Sequence, residues 1–242
     1  HTHTDGNIVV NGGLTANDGI VLSATSTSPR NIAVNSTINA TNRAELRATG
    51  SITQGTSGAN TGLVDSSAIL LDAGADIGAL NNDQQINGGT LALSAGNSAF
   101  VQDRTGDLEV VSDGTLSNPL GADQDLRIRV DNGDLTLSND ITATNAAFVA
   151  GTDLTLNAQT TGPDIFINGN VNAGQNLVFL ATGDIVSGTG ALVQVPGGSL
   201  GLGAGGQVGP TNPVNINAAN LALNPAGGNT QYRCCREAAS CC

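Results

Sequence analysis

Apolar and small polar residues alternate in short runs along nearly the whole chain. Ile32-Ala33-Val34, Ile38-Asn39-Ala40, Leu126-Arg127-Ile128-Arg129-Val130 and Ile165-Phe166-Ile167 place an apolar side chain at every second position. In an extended strand that spacing puts all of them on one face. The runs are about 4–6 residues long and end at Gly, Asn or Asp, so the pattern predicts many short strands joined by tight corners.

The runs also repeat. Residues 30–55 read RNIAVNSTINATNRAELRATGSITQG and residues 163–188 read PDIFINGNVNAGQNLVFLATGDIVSG. Ile32 matches Ile165, Val34 matches Ile167, Ile38 matches Val171, Ala48-Thr49-Gly50 matches Ala181-Thr182-Gly183, and Ile52 matches Ile185. Extended outward, the similarity covers residues 6–100 and 133–232. About seven extra residues around 145–151 in the second copy precede Leu154-Thr155-Leu156, which is set against Ile20-Val21-Leu22. The bridge at 101–132 alternates in the same way and reads as further strands. Arg43, Glu45 and Arg47 in the first copy become Asn176, Val178 and Leu180 in the second, which predicts different contacts on that face and deeper burial in the second copy.

Repeated short strands at constant spacing predict an all-β chain folded as a right-handed parallel β-helix, a β-solenoid spanning residues 6–232. With units of about 20 residues and about 4.8 Å per coil, eleven or twelve coils form a rod on the order of 55 Å long. The competing fold is an antiparallel β-sandwich. Its support is the Asn-Gly pair at 11–12, 87–88, 132–133 and 168–169, a favoured hairpin corner. Residues 1–5 read as a terminal remnant and 233–242 as a separate cysteine-rich tail.

Composition narrows the core. Aromatics are 2% of residues while aliphatic-rich hydrophobics reach 39%, and Trp and Met are absent. Stacked rows of Ala, Leu, Val and Ile must therefore fill the interior, which suits a narrow solenoid. The net charge is −12, and all eight basic residues are Arg. Such a surface argues against nucleic acid or an anionic membrane as partner. No stretch reaches the roughly 18–20 apolar residues of a membrane-spanning helix. The start of the chain carries no signal-peptide pattern, so either a leader has been removed or the chain is part of a longer one.

Units such as GDLTLSNDITATNAAFVAGTDLTLNAQ (133–159) and GQNLVFLATGDIVSGTGALVQ (174–194) follow the style G-[DNS]-[IL]-x-[LVI] and then an Asn/Gly corner. They resemble the repeats of filamentous-haemagglutinin-type, two-partner-secreted β-helical adhesins. The resemblance covers most of residues 6–230. It implies a secreted right-handed parallel β-helix at the bacterial cell surface, with an adhesive or fibrous role. Copies of the chain itself, by head-to-tail or lateral assembly, and host or matrix glycans are the expected partners.

Candidate chemistry is sparse. Cleavage of a glycoside needs two carboxylates at a fixed separation. Asp123 and Asp125 in GADQD are the closest-spaced pair of aspartates, with Arg127 and Arg129 beside them and Asp131 and Asp134 following. Two apart in a strand, Asp123 and Asp125 would share a face, and Asp123, Asp125, Arg127 and Arg129 are the candidate carbohydrate contacts. As plain surface they form a solvated corner whose ion pairs contribute little. The Asp-rich motifs and His-bearing turn of pectin-cleaving β-helices are absent, and His occurs only at 1 and 3, so the chain reads as non-enzymatic. No nucleotide loop is present, because the Gly-rich stretch 197–206 lacks the Lys-Ser/Thr ending and reads as a packed corner. No cofactor or metal is expected.

Asn35 and Asn39 head the triplets Asn-Ser-Thr and Asn-Ala-Thr, possible glycan acceptors. Cys234, Cys235, Cys241 and Cys242 are the only cysteines and fall in the last nine residues. They read as an internal disulfide staple capping the solenoid, or as intermolecular links from one rod to the next. A four-Cys metal site does not match this spacing.

Overall fold

Among the described residues, every pairing between strands is parallel. The computed structural model describes residues 2–4, 6–55, 62–151, 162–227 and 229–234. Among these there is no helix, and the strands stack as a β-solenoid of about nine turns. The antiparallel sandwich is thereby excluded. Its main sign misled for a physical reason: a two-residue Asn-Gly hairpin needs positive φ at both positions, and none of the residues at 11–12, 87–88, 132–133 or 168–169 adopts it. These pairs turn the chain from one face of a coil to the next.

There are fewer turns than expected because each turn is longer. Ile20 stacks on Ala44, Ala44 on Ile69, and Ala146 on Leu177, steps of 24, 25 and 31 residues. Residues 2–4, expected to be a remnant, form the first strand and pair with Leu22–Ala24. The strand Leu192–Ala204 carries Gly201 and Gly203 within it, so the corners expected in that stretch fall only at the register break between Val195 and Ser199 and at the bend of Gly205 and Gly206 after the strand.

Alternation places one set of side chains inward in every turn, and in-register stacking turns each inward position into a ladder. Leu22, Leu46, Leu71 and Leu93 stack in one row. Ile141, Val171, Val193 and Ile216 stack in another, which ends at Cys234. Ala24, Ala48, Ala73, Ala95 and Ala122 line a narrow corner. All of these except Cys234 are buried. Phe148 and Phe179 stack 5.2 Å apart at the centre of the second half. Gly121 takes φ +127°, and a Cβ there would overlap the carbonyl oxygen of Thr142 in the next turn, so this corner requires glycine.

The two sequence copies do not lie one above the other. Ile8, Ile32, Ile52 and Ile77 form one row. It continues through Ala99, Leu126, Ala146 and Leu177. Leu177 is the sequence counterpart of Ala44, not of Ile32. The row through Ile20, Ala44, Ile69 and Leu91 continues instead to Val110, Leu137 and Ile167, the counterpart of Val34. The second half is therefore rotated about the rod by one face. The switch falls at 90–130, where strand Thr90–Ala95 is followed by two shorter strands, Leu108–Val110 and Gly121–Ala122. Residues 145–150 of strand Ile141–Ala150 occupy the place of Gly19–Ala24. The expected insertion thus falls after Ala150, and Leu154-Thr155-Leu156, set against 20–22 from sequence, lies outside the described residues.

Between those two shorter strands, residues 111–120 cross the outer side of the first half as a strap. Arg43 reaches Asp113 at 2.7 Å, and Arg47 contacts Glu45 at 2.5 Å and Asp72 at 2.8 Å. Arg47 also donates to the Thr115 carbonyl at 2.8 Å, and the Ser117 hydroxyl donates to Asp72 at 2.7 Å. Burial works against ionisation of Asp113, but the Thr115 N–H and Arg43 outweigh it and hold its carboxyl below the usual range. The outward residues Leu70, Asp72, Ala92 and Ser94 are buried as a result. The second copy is not the more covered at these positions: Arg43, Glu45 and Arg47 are half-buried, and of their counterparts Asn176 is exposed while Val178 and Leu180 are half-buried.

Two outcomes follow. Phe148→Ala removes one ring of the inward stack and should cost about 3–5 kcal/mol, read by chemical denaturation. Arg47→Ala leaves the buried Asp72 carboxylate without its cation, and limited proteolysis should then cut the strap at 112–119 faster, with a lowered melting temperature.

Candidate functional site

On the outer side of the rod, the residue just before each row of inward apolar side chains is Asn, Asp or Ser for turn after turn. Each rung bonds to the one before. The Asn31 N–H donates to Asn7 Oδ1 at 2.9 Å, the Ser51 N–H to Asn31 Oδ1 at 2.8 Å, and the Asp76 N–H to Ser51 Oγ at 3.3 Å. The Ser98 N–H donates to Asp76 Oδ1 at 3.2 Å and the Asp125 N–H to Ser98 Oγ at 3.4 Å. Asn145 Nδ2 then donates to Asp125 Oδ1 at 2.8 Å, and Asn176 Nδ2 to Asn145 Oδ1 at 3.0 Å. Ser199 and Asn220 continue the row in register. The ladder satisfies corner backbone groups that would otherwise lack partners.

The ladder borders a groove where the two halves meet. After Ile77 the chain makes a tight excursion. Gly78 and Asn81 take positive φ, and the Ala79 and Asn82 backbones exchange hydrogen bonds of 3.0 and 2.9 Å. This turn holds Leu80 outward, 65% exposed, and brings the Asp83 carboxylate onto Arg127. The Arg127 guanidinium also lies 5.2 Å from the centre of the Phe100 ring, a cation–π contact. On one side of Arg127 is a cavity of about 550 Å³, lined by Ser51, Asp76, Ser98, Asp125, Asn145 and Asn176 of the ladder and by Leu80, Phe100 and Ala147. On the other is a polar cavity of about 450 Å³, lined by Asn81, Asn82, Gln85, Gln102 and Arg129.

Of the residues singled out from sequence, Asp125, Arg127 and Arg129 share the outward face of strand Asp125–Val130 and line the groove. Asp123 does not join them. It lies in the corner before the strand, where its N–H donates to the Ala95 carbonyl, and it lines a separate cavity of about 160 Å³. Neither arginine pairs with Asp123 or Asp125: Arg127 takes Asp83, and Arg129 takes Asp131 at 2.8 Å. Sequence reasoning missed Asp76, Leu80, Asp83 and Phe100, which come from turns one or two layers away. Asp134 belongs to a different row, in which Asp107, Asp134, Asp164 and Asp184 each accept the backbone N–H of the next rung. Burial raises the Asp164 carboxyl, the Asp184 N–H opposes that, and the charges of Asp134 and Asp184 add to the rise.

Asn35 donates its side-chain amide to Asn11 at 2.9 Å, and Asn39 donates to Asp65 at 3.3 Å. Both acceptor amides of the glycan triplets are thus engaged in ladders. Cys234 is exposed at the end of its inward row, while Cys235, Cys241 and Cys242 lie outside the described residues. Comparison with known protein families, with curated proteins and with solved structures finds no match.

Beneath the groove, Asp103 points inward from strand Ala99–Asp103 and is fully buried, with Oδ2 unpartnered. Burial pushes its carboxyl up to about 7, against the N–H groups of Thr105, Arg104 and Gly88, and nearby Asp131 adds to the rise. A raised folded-state pKa stabilises below the unfolded value, and that stability is lost as pH rises through the folded one. Asp103→Asn should therefore melt with the wild type near pH 4 and increasingly above it up to about pH 7, by at most about 4 kcal/mol. Thermal melts across that range check this.

Proposed function

We propose that this chain is a secreted, non-catalytic structural and adhesive solenoid, the subunit of an extracellular fibre or bacterial surface adhesin that joins to copies of itself. The observation that carries this reading is the in-register stacking of about nine parallel turns into one continuous column, with no break in the ladders of inward side chains among the described residues. The first strand, Thr2–Thr4, and the last, Tyr232–Cys234, stand at opposite ends of one stacked column. Ile8–Val10 and Leu14–Ala16 at one end, and Leu221–Pro225 at the other, are paired on one side only among the described residues. A strand paired on one side accepts a further parallel turn, from the same chain or from a second copy, and a head-to-tail contact between copies that does not close produces a filament. The repeat style shared with filamentous-haemagglutinin-type adhesins supports export and a surface role. The exposed Cys234, stacked on Ile216, supports a part for the cysteine tail, either as a staple or in linking rods.

Electron microscopy of the purified protein should show filaments thicker than one strand stack and many times longer than a single rod, itself roughly 45 Å for about nine turns. Shortening on reduction, and in the variant with all four cysteines changed to Ser, assigns the links to the tail. Monodisperse short rods under both oxidising and reducing conditions would overturn the polymer reading. Glycan turnover abolished by Asp125→Asn would overturn the non-catalytic one.

A further inference from the structure

We propose that the groove beside Arg127 binds a neutral, linear glycan lying parallel to the rod axis. This rests on the adhesive reading above and names the ligand class the rod would hold. The groove spans the layers from Ser51 to Asn176, five steps of about 4.8 Å, or about 24 Å in length. Its polar groups repeat once per layer, a spacing close to the length of one pyranose unit in an extended chain. Several consecutive sugar rings can therefore meet the same kind of side chain in turn.

The chemistry of the lining selects among ligands. Asp76 and Asp125 each use Oδ1 in the ladder, and among the described residues Oδ2 of each takes no protein hydrogen bond. A carboxylate oxygen of this kind accepts strongly from sugar hydroxyls. Asn145 and Asn176 add amide groups, and Leu80 and Ala147 add apolar surface for the C–H face of a ring. The charge balance excludes acidic polymers. Arg127 is the one cation lining the larger cavity, and Asp83 holds it, so the two remaining carboxylates leave the groove negative. Polyuronates, sulfated glycans and phosphate would be repelled. An extended peptide fits less well, because strand addition needs an unpaired edge. The strands beneath the groove, Ala99–Asp103, Asp125–Val130 and Ile141–Ala150, are paired on both sides.

The test is titration of the whole chain with neutral linear hexasaccharides of β-glucan, mannan, xylan and chitin type, beside hexagalacturonate, a heparin hexasaccharide and an extended-peptide library. At least one neutral hexasaccharide should bind, and more tightly than its own disaccharide. The double variant Asp76→Asn/Asp125→Asn keeps an acceptor for each ladder bond and should weaken binding about tenfold or more, with the melting curve unchanged. Leu80→Arg, at an exposed turn, should also weaken it. Failure of every neutral glycan to bind, preference for the acidic oligomers or for peptide, or binding indifferent to these variants would overturn the proposal. Filaments formed by a chain that binds no neutral glycan would sink this inference and leave the fibre reading standing. A rod that binds glycan and never assembles would do the reverse.

Discussion

The fixed distance between hydrogen-bonded parallel strands governs this molecule. Once each turn bonds to the next in register, every position along a turn becomes a row along the rod, and each row must be filled by side chains that tolerate stacking on their own kind. Aliphatics do so inward, and Asn, Asp and Ser do so at the corners by handing one hydrogen bond from rung to rung. Aromatics are scarce because few places in so narrow an interior admit a ring. Phe148 and Phe179 occupy one such place in adjacent turns, where each ring fills the space beside the other.

That constraint explains what was legible in the sequence and what was not. Alternation and repetition report a local period and a stacking period, so the parallel solenoid could be read from them. The length of a turn was misjudged because corners absorb residues without changing the inward pattern; the step from Ala146 to Leu177 is an instance. The strap was invisible for a different reason. Residues 111–120 carry no periodic signal, and their hold on Arg43, Arg47 and Asp72 depends on contacts between residues 45 to 70 positions apart. Half of the groove was hidden likewise: Asp125, Arg127 and Arg129 share a strand and could be picked out together, whereas Asp76, Asp83 and Phe100 reach them only through stacking.

Acidic side chains carry an electrostatic burden that the stacking imposes. A row repeats its charge every turn, so Asp107, Asp134, Asp164 and Asp184 stand in line, each offset by an N–H from the next rung. The Asn/Asp/Ser ladder relieves the same repulsion by separating its aspartates with neutral rungs, as Ser98 does between Asp76 and Asp125. Neutral spacing separates those carboxylates along the groove, where their remaining oxygens are available to a ligand.

The rotation between the halves determines where such a surface can exist. Two copies stacked without rotation would continue each face along the whole rod, and one ladder of outward residues would serve both. Rotation by one face means that the chain must change its path between the copies, and the changes are of two kinds. Thr90–Ala95 gives way to two shorter strands, and the residues between them cross the first half as the strap. Ile52–Gln54 and Gln84–Asn87 give way to the single strand Ala99–Asp103, and the excursion at 78–83 rises beside it. The strap covers the charged face of the first copy, while the excursion walls the groove at the junction. Val178 and Leu180, counterparts of strap-covered Glu45 and Arg47, carry no charge for a strap to neutralise. The rotation between two halves of similar pattern thus leaves one covered face and one walled groove, neither of which the shared pattern contains in itself.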